Sequence, residues 1–113
     1  MRDRGRHAEE TAAAYLQQCG LTLLERNYHC RFGEIDLIAR DGETLVFVEV
    51  RMRAGNAFGG AAASITAAKR DKLLRTARHY LAGLARSPAC RFDAVLLNGN
   101  SAAPEWLKNV FGE

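Results

Sequence analysis

The sequence predicts one α/β domain with its elements in the order αβββαβα. Three observations carry that expectation. Two segments with a helical apolar period, near the N-terminus and past the midpoint, alternate with shorter apolar runs, and two of those runs flank Arg40-Asp41-Gly42-Glu43. A chain of 113 residues, 48% of them apolar, is long enough for one continuous core and too short for two independent ones.

Taken in order, Ala8, Ala12, Tyr15, Leu16 and Cys19 recur on one helical stripe, and Gly20 stands where a helix stops, so the first helix spans Ala8 to Cys19. Leu21 to Tyr28 reads as a first strand. Glu34 to Ala39 and Thr44 to Arg51 read as a hairpin, because Asp-Gly between apolar runs is the strongest short-range signal for a tight turn. Ala54 to Ala63, with Gly55, Gly59 and Gly60, has no period and reads as a loop. A second helix runs from Thr66, its cap, to Arg86, with Leu73, Ala77, Tyr80, Leu81 and Leu84 inward, and Ser87-Pro88 ends it. Phe92 to Leu97 is a fourth strand. Pro104 to Phe111 reads as a short terminal helix with Trp106, Leu107 and Val110 inward.

Composition narrows the function. Leu45 to Val48, the longest apolar run, is far below the roughly 20 residues that span a bilayer, and Glu9 and Glu10 fall where a secretory signal needs an apolar core. A cytoplasmic protein without a membrane partner is expected. Cys19, Cys30 and Cys90 lack the close pairing of a structural zinc site and read as reduced, buried thiols. The net charge of +3 is a weak pointer to polyanions, but 13 of the 16 basic residues are arginine, whose planar fork suits phosphate.

The hairpin concentrates the chemistry. If Asp41-Gly42 is the two-residue turn, Asp36 faces Phe47 across the strands and Glu34 faces Glu49. Ile35, Leu37, Ala39, Val46, Val48 and Val50 then share an apolar side. Ile38, Leu45 and Phe47 occupy the turn end of the other side, with Glu34, Asp36, Glu49 and Arg51 gathered at its far end. Facing carboxylates repel, each such pair costing about 0.2–1 kcal/mol, so the cluster needs compensation. Arg51 supplies some, and a divalent ion such as Mg²⁺, held by one or two carboxylates with waters and substrate phosphate, supplies more. The bland alternative is a solvated ion network on a strand end.

These stretches, Gly33-Glu34-Ile35-Asp36-Leu37-Ile38-Ala39 and Phe47-Val48-Glu49-Val50-Arg51-Met52-Arg53, resemble the YraN family of uncharacterised bacterial proteins. Ala8-Glu9, Tyr15-Leu16, Arg26-Asn27-Tyr28, Lys69, Arg91-Phe92-Asp93 and Trp106-Leu107-Lys108 extend the likeness over nearly the whole chain. The resemblance implies a restriction-endonuclease-like fold, a mixed sheet flanked by helices, similar to that of Holliday junction resolvase-like nucleases. That fold's metal motif maps onto Asp36, Glu49 and Arg51. By resemblance, Asp36, Glu49 and the Val50 carbonyl would bind Mg²⁺ or Mn²⁺, Arg51 would stabilise the transition state, and Glu9 would reach the same cleft.

Arg51 departs from the motif's usual lysine, and an arginine cannot exchange a proton near neutral pH. Lys69 substitutes for the missing amine if its helix packs beside the hairpin; the plainer reading is a solvated lysine. Arg51, Arg53, Lys69 and Lys72 are the candidate phosphate contacts; Arg70, Lys72, Arg75, Arg78 and Arg86 spread widely around the helix and read first as a solvated surface and second as a phosphate-tracking ridge. His7, His29 and His79 share no spacing with a Cys or Asp cluster and are assigned no role. Tyr15, Tyr80 and Trp106 read as core. Three functions follow in order: a metal-dependent nuclease acting on nucleic acid, DNA ahead of RNA and branched or damaged DNA among the substrates; a nucleic-acid-binding module without turnover; and a protein-interaction scaffold. None needs a small-molecule cofactor, and the first admits a homodimer.

Overall fold

The structure, a computed structural model, describes residues 2–53, 66–98 and 103–111. The Gly- and Ala-rich stretch from Ala54 to Ala63 lies outside the described residues.

Helix α1 (Arg2–Gln18) begins ahead of the expected Ala8 and ends as its sequence demands. Gly20, at φ 103°, takes the left-handed position after the helix. Its N–H donates to the Gln17 carbonyl (3.0 Å) and that of Leu21 to the Leu16 carbonyl (3.1 Å), the double bond of a Schellman cap. Leu21 and Leu16 are both buried in one cluster, which completes the cap with its usual apolar contact.

Strands β1 (Thr22–Cys30), β2 (Gly33–Asp41), β3 (Thr44–Arg53), β4 (Cys90–Asn98) and β5 (Glu105–Phe111) form one sheet in sequence order. β2 runs antiparallel to both β1 and β3, β4 runs parallel to β3, and β5 returns antiparallel to β4. Parallel neighbours cannot be joined by a tight turn. Helix α2 (Ala67–Ala82) makes that crossover, with Thr66 Oγ1 accepting from the Lys69 N–H at 3.2 Å as its N-cap. α2 stops four residues short of the expected Arg86, at a Gly83 cap whose N–H donates to the Tyr80 carbonyl at 3.1 Å, and Leu84 is exposed.

The helices cover opposite faces. α1 buries Ala12, Ala13 and Leu16 on Leu37, Ala39, Val46 and Val48. α2 buries Leu73 and Ala77 on Ile38, Leu45 and Phe47, and Phe47 stacks on Phe92 with centroids 5.2 Å apart. This is the α/β layout of a restriction-endonuclease-like core, a mixed sheet flanked by helices.

Four expectations are corrected. The hairpin turn is Gly42-Glu43, not Asp41-Gly42: Asp41 pairs with Thr44, Ile38 with Phe47 and Leu37 with Val48. Gly42 has φ 63°, the first turn position where glycine is favoured, while the Asp41 carboxylate is held by Arg91 Nη2 at 3.0 Å. Relative to the expected pairing each residue meets a partner two further along, and a shift of two preserves the faces.

Ile35 is the exception, since it lies in the α2 cluster and not with Leu37. The β1 register pairs Arg26 with Leu37 and Tyr28 with Ile35, so Asn27, left-handed at φ 53°, falls opposite Asp36. Alternation breaks there in both strands, and Tyr28 follows Ile35 onto the α2 side.

The segment read as a terminal helix is β5. Asn109 is left-handed at φ 56°, and the β4–β5 register shifts between Phe92 and Ala94, where the Asn109 N–H donates 2.9 Å to Asp93 Oδ1. That irregularity puts Leu107 and Val110 on the same face, a spacing of three that imitates a helix. The cysteines are free, but Cys19 is exposed and Cys30 and Cys90 are half-buried, contrary to the expected burial.

Candidate active site

The break in β2 builds the site. Past Leu37↔Val48 the β2–β3 ladder ends, and the Val50 N–H donates to Asp36 Oδ2 at 2.8 Å in place of a strand carbonyl. A backbone bond taken by a side chain pins the Asp36 carboxylate beside β3. The expected pairing of Glu34 with Glu49 does not form, since Glu34 pairs with His29 on β1.

A cavity of about 460 Å³ opens here, lined by Glu9 of α1, Glu34 and Asp36 of β2, Glu49 and Arg51 of β3, and Lys69 and Lys72 of α2. Gly33 forms part of the wall. At φ 151° and with a Cβ position only 3.0 Å from Thr76 Oγ1, it lets the start of β2 press against α2.

Glu49 is the hub. Its side chain is 11% exposed, and Oε2 meets Arg51 Nη2 at 3.2 Å and Lys69 Nζ at 3.4 Å. Arg51 Nε and Nη2 are buried and form no hydrogen bond among the described residues, so the Arg51–Glu49 contact is a charge pair without an aligned N–H. A guanidinium so placed retains donors for an anion.

Burial drives both carboxylates toward their neutral forms. Asp36 is pushed up to about 7, by desolvation first and by the Glu49 charge next, with Glu9 and Glu34 adding to it and the Val50 N–H opposing it. Glu49 is raised by desolvation; Arg51 opposes the shift and the charges of Glu34 and Glu9 reinforce it. The two cations on Glu49 do not offset the desolvation of the pair. A divalent cation between them is the usual chemical remedy, and their oxygens suit Mg²⁺ or Mn²⁺. Among the described residues no group of three or more His, Cys, Asp or Glu side chains forms a complete cage, so an ion here would take its remaining ligands from water and substrate.

The profile of the uncharacterised protein family UPF0102 matches residues 8–97 of the chain. The chain belongs to that family. It is 63% identical over 112 residues to a UPF0102 protein of Nitrosomonas europaea, an alignment covering 98% of this chain and 95% of the relative. It is 58% identical to one of Nitrosospira multiformis (98% and 94% covered) and 57% identical to one of Cupriavidus metallidurans (96% and 80% covered).

In this UPF0102 protein the residues expected at the site largely converge. Asp36, Glu49, Arg51, Glu9, Lys69 and Lys72 all line the one cavity. Lys69 reaches Glu49 because α2 packs over the β2–β3 hairpin, the condition on which its role depended. Val50 is drawn in by its N–H; the Arg53 side chain lies outside the described residues. Sequence reasoning missed Gly33, whose place is visible only once the β1–β2 turn is seen against α2.

Asp93 is a structural counterpart to Asp36. It is fully buried and accepts from Arg91 Nε (3.1 Å to each oxygen), Trp106 Nε1 (2.9 Å) and the Asn109 N–H (2.9 Å), which leaves no capacity for a ligand. Among the described residues, no helix is long and apolar enough to cross a membrane.

Proposed function

We propose that this protein is a metal-dependent nuclease that hydrolyses phosphodiester bonds in nucleic acid, DNA ahead of RNA. The observation that carries the reading is the convergence of Asp36 and Glu49 in one cavity with two cations, Arg51 and Lys69, on Glu49. Asp36 and Glu49 are the residues that would hold Mg²⁺ or Mn²⁺. When bound, such an ion polarises a phosphoryl oxygen and makes a water nucleophilic at neutral pH.

The chain's own residues account for the rest. Arg51, paired with Glu49 on the cavity wall, would stabilise the negative charge that builds on a bound phosphate. It does not move the proton. Lys69, 3.4 Å from Glu49, is the amine able to orient the attacking water or donate to the leaving oxygen, the part that arginine at position 51 leaves open. Lys72, exposed at the cavity wall, attracts the flanking phosphate.

The test is to incubate the protein with end-labelled duplex, single-stranded and branched DNA and with RNA, with Mg²⁺, Mn²⁺ or EDTA. The expected result is metal-dependent cleavage of at least one DNA substrate, lost by about 100-fold or more in Asp36→Asn and Glu49→Gln. Salt-sensitive binding with no cleavage under any metal refutes turnover and leaves a binding module; cleavage that persists in both variants refutes the site.

A further inference from the structure

The wall of the cavity continues into an aromatic surface that the carboxylate chemistry does not use. Phe32 directly precedes Gly33, in the turn between β1 and β2, and its ring is half-buried. The Arg31 guanidinium lies 4.9 Å from the ring centroid, and the His79 imidazole sits 5.9 Å away, tilted by 62°. Tyr28 Oη and His79 Nδ1 are 2.7 Å apart. His79 is exposed and its ring is locked in place by that bond, and Arg31 and Lys72 are exposed and take part in no ion pair among the described residues.

These groups lie along one arc of α2. Lys69 stands at the carboxylates, Lys72 and Thr76 pack against Gly33, and His79 follows one turn later. From Lys69 to His79 the helix rises about 15 Å, enough for more than one nucleotide of a strand that enters at the cavity. Cations near an accessible aromatic ring are the composition of a single-strand binding platform. In a duplex the base faces are already stacked on one another, so a ring such as Phe32 has nothing to stack on.

We propose that Phe32, with Arg31 and His79, is a stacking subsite for an unpaired base, and that the nucleic acid reaching the carboxylate cavity does so as a single strand or as the opened strand of a branch. The inference rests on the reading of the cavity as a phosphodiester site and names the form of its substrate.

The experiment is fluorescence anisotropy in EDTA, so that nothing is cut, with three fluorescein-labelled probes of about 12 nucleotides: single-stranded oligothymidylate, a duplex of the same length, and an abasic sugar-phosphate tract. Wild-type protein should bind oligothymidylate about tenfold or more tightly than the abasic tract, a comparison that needs no variant. Phe32→Ala should lose about tenfold on the single strand and less than about twofold on the duplex, and Phe32→Trp should restore affinity with its emission quenched by the bound strand. Equal affinity for the abasic tract overturns the proposal, as does a Phe32→Ala loss that is the same on both forms or absent from both. Base-dependent binding through Phe32 by a protein that cleaves nothing upholds the subsite and sinks the nuclease; metal-dependent cleavage lost in Asp36→Asn, with no dependence on bases, does the reverse.

Discussion

Replacing Asp36 by Asn in metal-free protein should make it more stable at pH 8 and by a much smaller margin at pH 4.5. In the folded protein the Asp36 carboxyl holds its proton up to about pH 7, whereas the free side chain releases it near 3.8. Between those values the folded state binds more protons than the unfolded one, so stability falls as pH rises through the window, and the loss is complete above about 7. At about 1.4 kcal/mol for each tenfold change in proton affinity, the full displacement is worth about 4 kcal/mol, and structural relaxation around the ionised group brings the expected gain for Asn to about 2–4 kcal/mol. Asn keeps an oxygen for the Val50 N–H, so the 2.8 Å bond is not what is being measured. Urea unfolding of both proteins in EDTA from pH 4.5 to 8, at equal m-values, reads the difference directly. Its growth with pH is the signature of ionisation at Asp36 and of the charge that Asp36 adds to its carboxylate neighbours. Two stability curves that run parallel across this range, or an Asn variant less stable than wild type at pH 8, would refute the account of Asp36 as a desolvated acid crowded by Glu49.

Asp93→Ala removes the acceptor shared by Arg91, Trp106 and the Asn109 backbone and should cost about 3–5 kcal/mol in urea, with a change in Trp106 fluorescence as β5 loosens; a loss below about 1 kcal/mol would mean that Asp93 does not tie β5 to β4. Gly33→Ala combines a φ of 151° with a contact of 3.0 Å to Thr76 Oγ1 and should lower stability by about 1–3 kcal/mol in a thermal melt; an unchanged melt would show that the turn is free to move away from α2.

The repeat of one device explains where sequence reasoning succeeded and where it failed. Asp36 and Asp93 each capture a backbone N–H that a regular ladder would give to a carbonyl, and a left-handed asparagine stands beside each, Asn27 across from Asp36 and Asn109 bonded to Asp93. At both places the alternation of faces is broken. A reading based on alternation therefore put Ile35 on the wrong face and turned β5 into a helix. It still put Asp36 and Glu49 on a common side, because the hairpin register moved by an even step.

From sequence alone came whatever depends on nearest neighbours along the chain: the Gly20 stop of α1, the Thr66 cap of α2, the hairpin around Gly42, and the gathering of acids at one end of β2 and β3. Tertiary structure decided what depends on groups distant in the chain. Asp93 satisfied itself on Trp106 and Asn109 and made the terminal segment a strand; α2, packing over the hairpin, carried Lys69 to Glu49 and Lys72 to the cavity wall; and Phe32 met His79 across 47 residues of chain. The physical reason is that a buried charge or ring takes whichever partner the packed sheet brings within reach, and local periodicity carries no record of that partner.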